Sequence, residues 1–304
     1  MTIRIFTSPG QATAFAQQVR NEGQTLGLVP TMGALHEGHL QLVRRAAAEC
    51  DKVCVSVFVN PLQFNDASDL DRYPRDFGGD AELLGVVDCD MVFTGGLADF
   101  FPAEAERARS AGEVFTATQV EMVDPGPSAA GLEGEHRPGH FAGVATICRR
   151  LFEVVEPHRA YFGQKDFQQT LVVKHLAAQR GGPEIVVCPT VREPSGLALS
   201  SRNQRLQAED REPALRLSRA LGSAWDAWSE GERERVKLEE ILEAQLGDLE
   251  VEYAVVRDPQ ALTELPEQLE RAQALIAARV GAVRLIDNHR LDGPALGAAP
   301  DAAS

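Results

Sequence analysis

Apolar positions change their period along the chain, and those changes mark out alternating strands and helices. Ser8-Pro9 heads a helical pattern that ends near Gly23, with an N-cap and a proline in the first turn. Leu26, Leu28 and Val29 form a short apolar run, whereas Leu40, Val43 and Ala47 recur at helical spacing. The residues between therefore join a strand to a helix that begins near His36. Val53, Val55, Val57 and Val59 follow with little polar alternation, which suits a parallel strand covered on both faces. The alternation continues with a helix over 80–87, a strand over 91–93, a helix over 141–155, a strand over 160–162 and a helix over 167–180. Such a series predicts a doubly wound α/β domain whose ligands lie beyond the carboxyl ends of its strands.

Beyond Gly181-Gly182-Pro183 and a short strand over 185–187, the character changes. Long charged helices over 209–230 and 233–246 precede two strand-like stretches, 251–256 and 274–286, which predict a second, α+β domain. The Pro-, Gly- and Ala-rich segment 124–134 reads as a mobile loop, and the small residues after Gly293 read as a disordered tail.

Composition narrows the function. The 304 residues are 44% hydrophobic, enough for real cores in one large or two ordinary domains. Acidic residues outnumber basic ones, 45 to 30, and the formal charge of −15 disfavours a broad nucleic-acid surface. An anionic ligand must then be caught by local groups. Cys50, Cys54, Cys89, Cys148 and Cys188 contain no Cys-x-x-Cys pair, so they read as buried thiols of a reducing cytosol. Neither a signal-peptide core nor a membrane-length apolar run occurs, which makes a cytoplasmic protein the default expectation.

The chemistry concentrates in the loops after strands. Pro30-Thr31-Met32-Gly33-Ala34-Leu35-His36-Glu37-Gly38-His39-Leu40 bridges the first strand and its helix. There, backbone N–H groups and the dipole of a helix start favour an anion, and His36 and His39 share one side of the first turn. Gly33 and Gly38 allow close approach of a nucleotide. The spacing does not match the zinc pattern His-Glu-x-x-His. Asn60 and Gln63 in Phe58-Val59-Asn60-Pro61-Leu62-Gln63-Phe64 stand at the end of the valine strand, as turn formers or as amides for a small polar substrate. In Phe162-Gly163-Gln164-Lys165-Asp166-Phe167-Gln168-Gln169, Lys165 suits a phosphate, Asp166 a ribose or a helix cap, and Gln169 shares Asp166's side of the helix. Ser200-Ser201-Arg202, after the turn Pro194-Ser195-Gly196, offers hydroxyls and a permanent cation for a polyphosphate, or a capped helix with a solvated arginine. Leu132 to Phe141 is dense in charged and imidazole side chains without separable roles.

Taken in order, Pro30 to His39, Phe58 to Phe64, Tyr73-Pro74-Arg75, Leu132 to Val144, Phe162 to Gln169 and Arg192 to Asn203 resemble the pantothenate synthetase family. Arg284 to Asn288 resembles that family's closing strand. The likeness runs from about Ile3 to Asn288 and places the chain beside the His-x-Gly-His nucleotidyltransferases. It implies a Rossmann-like doubly wound parallel sheet over residues 1–184 that binds ATP and pantoate, a smaller C-terminal α+β lid domain over 185–293, and a tail over 294–304. It also implies a homodimer with small-molecule substrates and no nucleic-acid or membrane partner.

The activity implied is ligation of pantoate to β-alanine, with ATP cleaved to AMP and pyrophosphate through an enzyme-bound pantoyl adenylate and with Mg2+ accompanying the ATP. By the same resemblance Pro30, Thr31, Met32, Gly33, Ala34, Leu35, His36, Glu37, Gly38 and His39 hold ATP, with His39 as the donor at the reacting phosphate and His36 beside it. Lys165, Ser200, Ser201 and Arg202 match the other phosphate-binding positions, Lys165 and Arg202 with catalytic weight, and Leu199 is a further ATP-binding position. Gly163 and Asp166 match the ribose contacts, Val191 the backbone contact with adenine, and Gln164 is a further ATP-binding position. Gln63 and Gln169 match the amides that hold pantoate, and Gln63 also meets β-alanine. No residue is assigned to the metal. Leu62 stands where methionine is frequent, Ser195 where aspartate is usual, and Gly78-Gly79 where acidic residues are common, which weakens any role for Asp80 as a metal ligand. The competing readings are a nucleotidylyltransferase of the same superfamily, which would need a phosphorylated-acceptor site, a class I aminoacyl-tRNA synthetase, disfavoured by the charge, and a nucleotide sensor without turnover.

Overall fold

In the computed structural model, residues 3–179, 181–260 and 262–297 are described, and the chain divides into two compact units. The first comprises residues up to 129, 133–163 and 168–188; the second comprises 130–132, 164–167 and the residues from 189 onward.

Six parallel strands organise the first unit: β1 (Arg4–Phe6), β2 (Leu26–Thr31), β3 (Lys52–Val57), β4 (Met91–Thr94), β5 (Arg159–Gly163) and β6 (Glu184–Cys188), in the order β1-β4-β3-β2-β5-β6. From β2 the chain steps outward through β3 to β4, then returns to the other side of β2 for β5 and β6. The direction of winding thus switches between β2 and β5, where the carboxyl ends of an open α/β sheet leave a crevice. Alternation along the strands feeds two cores, as the two-residue period requires. Leu26, Leu28, Cys54 and Phe93 face the helices Pro9–Asn21, His140–Val155 and Phe167–Gln179, while Val29, Val53, Val55 and Val92 pack with the helices Glu37–Glu49 and Phe77–Gly85. The five cysteines are buried, and burial pushes the Cys89 and Cys148 thiols up to about 12.

The second unit carries an antiparallel sheet of β7 (Glu250–Arg257), β8 (Gln273–Val280) and β9 (Val283–Arg290). Leu217 and Leu221 of the helix Arg211–Ser229, and Leu238 and Leu242 of Arg235–Leu246, pack with Ile276 and Leu285. The single stretch expected over 274–286 is two strands. Apolar residues continue through Val280 and Val283, so periodicity does not register the turn between them, where Gly281 takes a φ of 55°. Of the segment 124–134, expected to be a mobile loop, the part up to residue 129 is held by contacts within the first unit. Ser128 O accepts a 2.9 Å bond from Gln168 Nε2, and a Cβ on Gly126 would lie 2.2 Å from the His175 ring. Composition does not reveal such long-range ties. The last part of the expected tail, 298–304, and position 180 of the expected fifth helix lie outside the described residues.

Candidate active site

The loop after β2 is held from below and from within. Thr31 Oγ1 donates to Ser56 O at 2.7 Å and accepts from Gly33 N at 3.2 Å, which ties the end of β2 to β3. Gly33 has a φ of 77°, and a Cβ there would meet Asp80 Oδ2 at 2.7 Å, so only glycine admits the Asp80 carboxylate this closely. That carboxylate, 4% exposed, accepts from Leu35 N at 2.7 Å and from Ala34 N at 3.1 Å. Ala34 sits at a φ of 49°, a left-handed conformation that costs a residue with a Cβ about 1–2 kcal/mol. Burial pushes the Asp80 carboxyl above its ordinary value, while the two backbone bonds pull the other way.

His36 is the N-cap of the helix Glu37–Glu49, and the cap is made by the two histidines together. Gly38 N donates to His36 Nδ1 at 3.1 Å, and His36 N donates to His39 Nδ1 at 3.3 Å; the ring centroids lie 4.1 Å apart. A backbone N–H only donates, so both Nδ1 atoms carry lone pairs and the proton of each neutral ring sits on Nε2. The open backbone N–H groups expected at this helix start are partly used, because the rings take His36 N and Gly38 N.

Asn60 caps the 3-10 turn Pro61–Gln63, accepting from Leu62 N, and its Nδ2 donates both to Gln63 Oε1 at 3.0 Å and to Gly143 O at 3.1 Å. Gln63 is 8% exposed; its oxygen is turned to Asn60 and its Nε2 to Met32 Sδ at 3.0 Å. The same unit brings Gln63 beside Met32 of the motif loop. Gln169 lies half-buried on the helix Phe167–Gln179, and Gly163 closes β5.

Within the second unit, Gln164, Lys165 and Asp166 form a 3-10 turn. Asn288 of β9 donates from Nδ2 to Gln164 O at 3.0 Å and Lys165 O at 2.8 Å, and its Oδ1 accepts from fully buried Gln273 at 2.9 Å. Residues 191–199 fold back as a hairpin: Leu199 N donates to Val191 O, and Gly196, at a φ of 97°, closes on Glu193 O at 2.8 Å. Arg192 forks onto Asp287 at 2.6 and 2.8 Å, a pair 10% and 4% exposed. Ser200 caps the 3-10 helix Ser201–Arg205 by accepting from Arg202 N, and buried Asn203 donates to Ala198 O at 2.9 Å.

Three side chains that organise these loops carried no role in the sequence reading: Asp80, Gln273 and Asn288. Asp80 had a signal, since it shares the buried face of its helix with Leu84, one turn on. A carboxylate on an apolar face needs donors.

The family model for pantoate-beta-alanine ligase matches residues 4–290. The chain belongs to that family. It is 47% identical to a pantothenate synthetase of Rubrobacter xylanophilus over 292 residues, covering 94% of this chain and 98% of the relative. It is 40% identical to that of Thermotoga neapolitana, covering 94% and 99%. The crystal structure of pantothenate synthetase from Thermus thermophilus superposes with a TM-score of 0.83 at 38% identity, covering 95% of this chain and 99% of that one. A Francisella tularensis pantoate-beta-alanine ligase, complexed with beta-gamma ATP and beta-alanine, gives 0.75 at 31% identity, covering 96% and 99%. Membership makes the chain an ATP-dependent enzyme that joins pantoate to β-alanine.

The departures from the family pattern are accommodated locally. Ser195 is exposed in a turn closed by the Gly196 backbone, and Asp76 caps the helix Phe77–Gly85 by accepting from Gly79 N at 3.0 Å. Leu62 is buried in the core beside Phe58 and Val144. Asp80 is engaged with the motif loop.

Proposed function

We propose that ligation proceeds through a pantoyl adenylate, with the histidine pair of the β2 loop acting on the phosphates of ATP. The observation that carries this reading is the reciprocal cap, which turns both Nδ1 atoms toward backbone N–H groups and assigns the ring proton to Nε2. Pantoate's carboxylate attacks the α-phosphate and the bond to pyrophosphate breaks. His39 Nε2–H stabilises the charge that develops there, and His36 supports it. Oriented donors at a charged transition state are the main source of rate in such reactions. The amine of β-alanine then attacks the acyl carbon, AMP departs and the amine loses a proton. No protein nucleophile is needed, because positioning carries the step.

By the family match, Lys165, Ser200, Ser201 and Arg202 contact phosphates, Gly163 and Asp166 the ribose, and Val191 the adenine. Gln63 and Gln169 hold pantoate, and Gln63 also meets β-alanine. The orientation of Gln63, with its oxygen committed to Asn60, supports a donor role for Nε2 toward a carboxylate. Magnesium is proposed to arrive with the phosphates of ATP. Among the described residues no three His, Cys, Asp or Glu side chains group as a cation's cage, so no residue is assigned to it and no step is drawn through it. The family resemblance also supports a homodimer in the cytoplasm; among the described residues no helix is long and apolar enough to cross a membrane.

Exchange of labelled pyrophosphate into ATP, with pantoate and Mg2+ present and β-alanine absent, tests the adenylate. Pantoate-dependent exchange is the expected result. ATP binding without exchange for pantoate would overturn it.

A further inference from the structure

The proposed chemistry leaves unused the charged and imidazole side chains of the stretch Leu132 to Phe141, and three of them are linked to one another: Glu133, Arg137 and His140. All lie in the first unit, and Glu133 and His140 are 6% and 5% exposed. Glu133 Oε2 approaches Arg137 Nη1 at 3.6 Å, Arg137 Nη1 lies 3.1 Å from His140 Nε2, and His140 Nδ1 lies 3.0 Å from the main-chain oxygen of Gln63. The ends of this chain decide its middle. A guanidinium has no acceptor, so His140 Nε2 must supply the lone pair; a carbonyl has no proton, so Nδ1–H must donate to Gln63 O. His140 is thereby held as the neutral Nδ1–H tautomer, opposite to that of His36 and His39.

Two further ties press the same helix onto the same turn. Asn60 Nδ2 bonds Gly143 O, and a Cβ on Gly143 would fall 2.3 Å from Leu62 O and 2.6 Å from Gln63 N. The backbone that carries Gln63 is thus clamped to the first turn of the helix His140–Val155 at both its oxygen and its nitrogen side. An amide that must aim one N–H at a carboxylate needs its backbone fixed to a fraction of an ångström.

We propose that His140, oriented by Arg137 and Glu133, is a positioning residue that sets the Gln63 turn and through it the binding of pantoate and β-alanine. The proposal rests on the reading of Gln63 as the amide that meets those substrates. Loss of one buried bond at this turn should raise the KM for pantoate and for β-alanine about tenfold in His140→Ala, while the KM for ATP stays within about twofold. His140→Asn, whose amide nitrogen stands near the place of Nδ1, should recover most of that loss. In the unmutated protein, 15N chemical shifts of a ring-labelled His140 should report Nδ1 protonated and Nε2 bare. A uniform change in all three KM values, equal defects in the Ala and Asn variants, or a ring protonated on Nε2 would each overturn the proposal. The spectrum of the unmutated protein decides even where a variant fails to fold. Gln63→Ala in the same assay separates the two readings. Unchanged dependence on pantoate and β-alanine there removes the role of Gln63 itself, whereas a shift there with none in His140→Ala overturns the relay alone.

Discussion

Asp80→Ala tests whether a side chain remote in sequence holds the loop after β2, to which ATP binding is proposed. The carboxylate accepts from Leu35 N and Ala34 N, and Leu35 is buried, so its stranded N–H should cost about 1–3 kcal/mol. The Ala34 N–H is nearer to solvent and costs less once water reaches it. Against this stands the relief of no longer burying a carboxyl that burial already pushes above its ordinary value. The net loss of stability should be about 1–2 kcal/mol in urea titration. Activity should suffer more, because Ala34 is held left-handed and relaxes once released, carrying the histidine cap with it. A fall in kcat/KM for ATP of about 10–100-fold corresponds to about 1.4–2.7 kcal/mol at the transition state. The assay is initial-rate AMP formation at varied ATP with both acceptors saturating. Asp80→Asn should fall between, since its oxygen serves Leu35 N but its NH2 group meets Ala34 N donor to donor. The sign with pH is also set. A carboxyl raised above 3.8 in the folded chain contributes stability that is full below that value and is lost as pH rises through the folded value. Asp80→Asn should remove that slope. A kcat/KM for ATP within about threefold of the parent in Asp80→Ala would refute the reasoning, since one lost orienting contact ordinarily costs about tenfold or more.

His39→Ala should lower turnover by about 10²–10³, the usual loss for one oriented donor at a charged transition state, and a stopped assay of pantothenate formation reads it. Asn288→Ala should strand Gln273 and free the carbonyls of Gln164 and Lys165, lowering stability by about 1–3 kcal/mol and weakening ATP binding measured by calorimetry. His289 is depressed from 6.5 to about 4, first by burial and then by Arg192, so it stays neutral in the folded chain where the unfolded chain binds a proton. Its share of stability is present above pH 6.5 and lost as pH falls through about 4, and His289→Gln should flatten urea midpoints across that window.

Where both faces of a strand are buried, the sequence spoke plainly. Val53 to Val57 carry no solvent face to blur the pattern, and the helices on either side show their apolar stripes. β1 was not legible, since Arg4 and Ile5 are exposed at an edge with three residues in all. The β8–β9 turn was hidden by apolar residues on both sides of Gly281. Among the candidate site residues, His36 and His39 were legible because they stand together, but the tautomer was not, since it depends on which backbone N–H meets each ring. Asp80 and Asn288 act through main-chain atoms 46 and 123 residues away, and local spacing contains no trace of such partners.

That last distance bears on how the protein is made. The ribosome adds Lys165 123 residues before it reaches Asn288. Domains fold largely as units and from the amino end during synthesis. A nascent chain can therefore assemble the six-stranded sheet, whose strands are all present by Cys188, while the lysine turn still lacks the amide that gathers its carbonyls. The turn acquires its final shape only with the closing strand, so chains cut short before residue 288 should form the sheet and fail at the nucleotide.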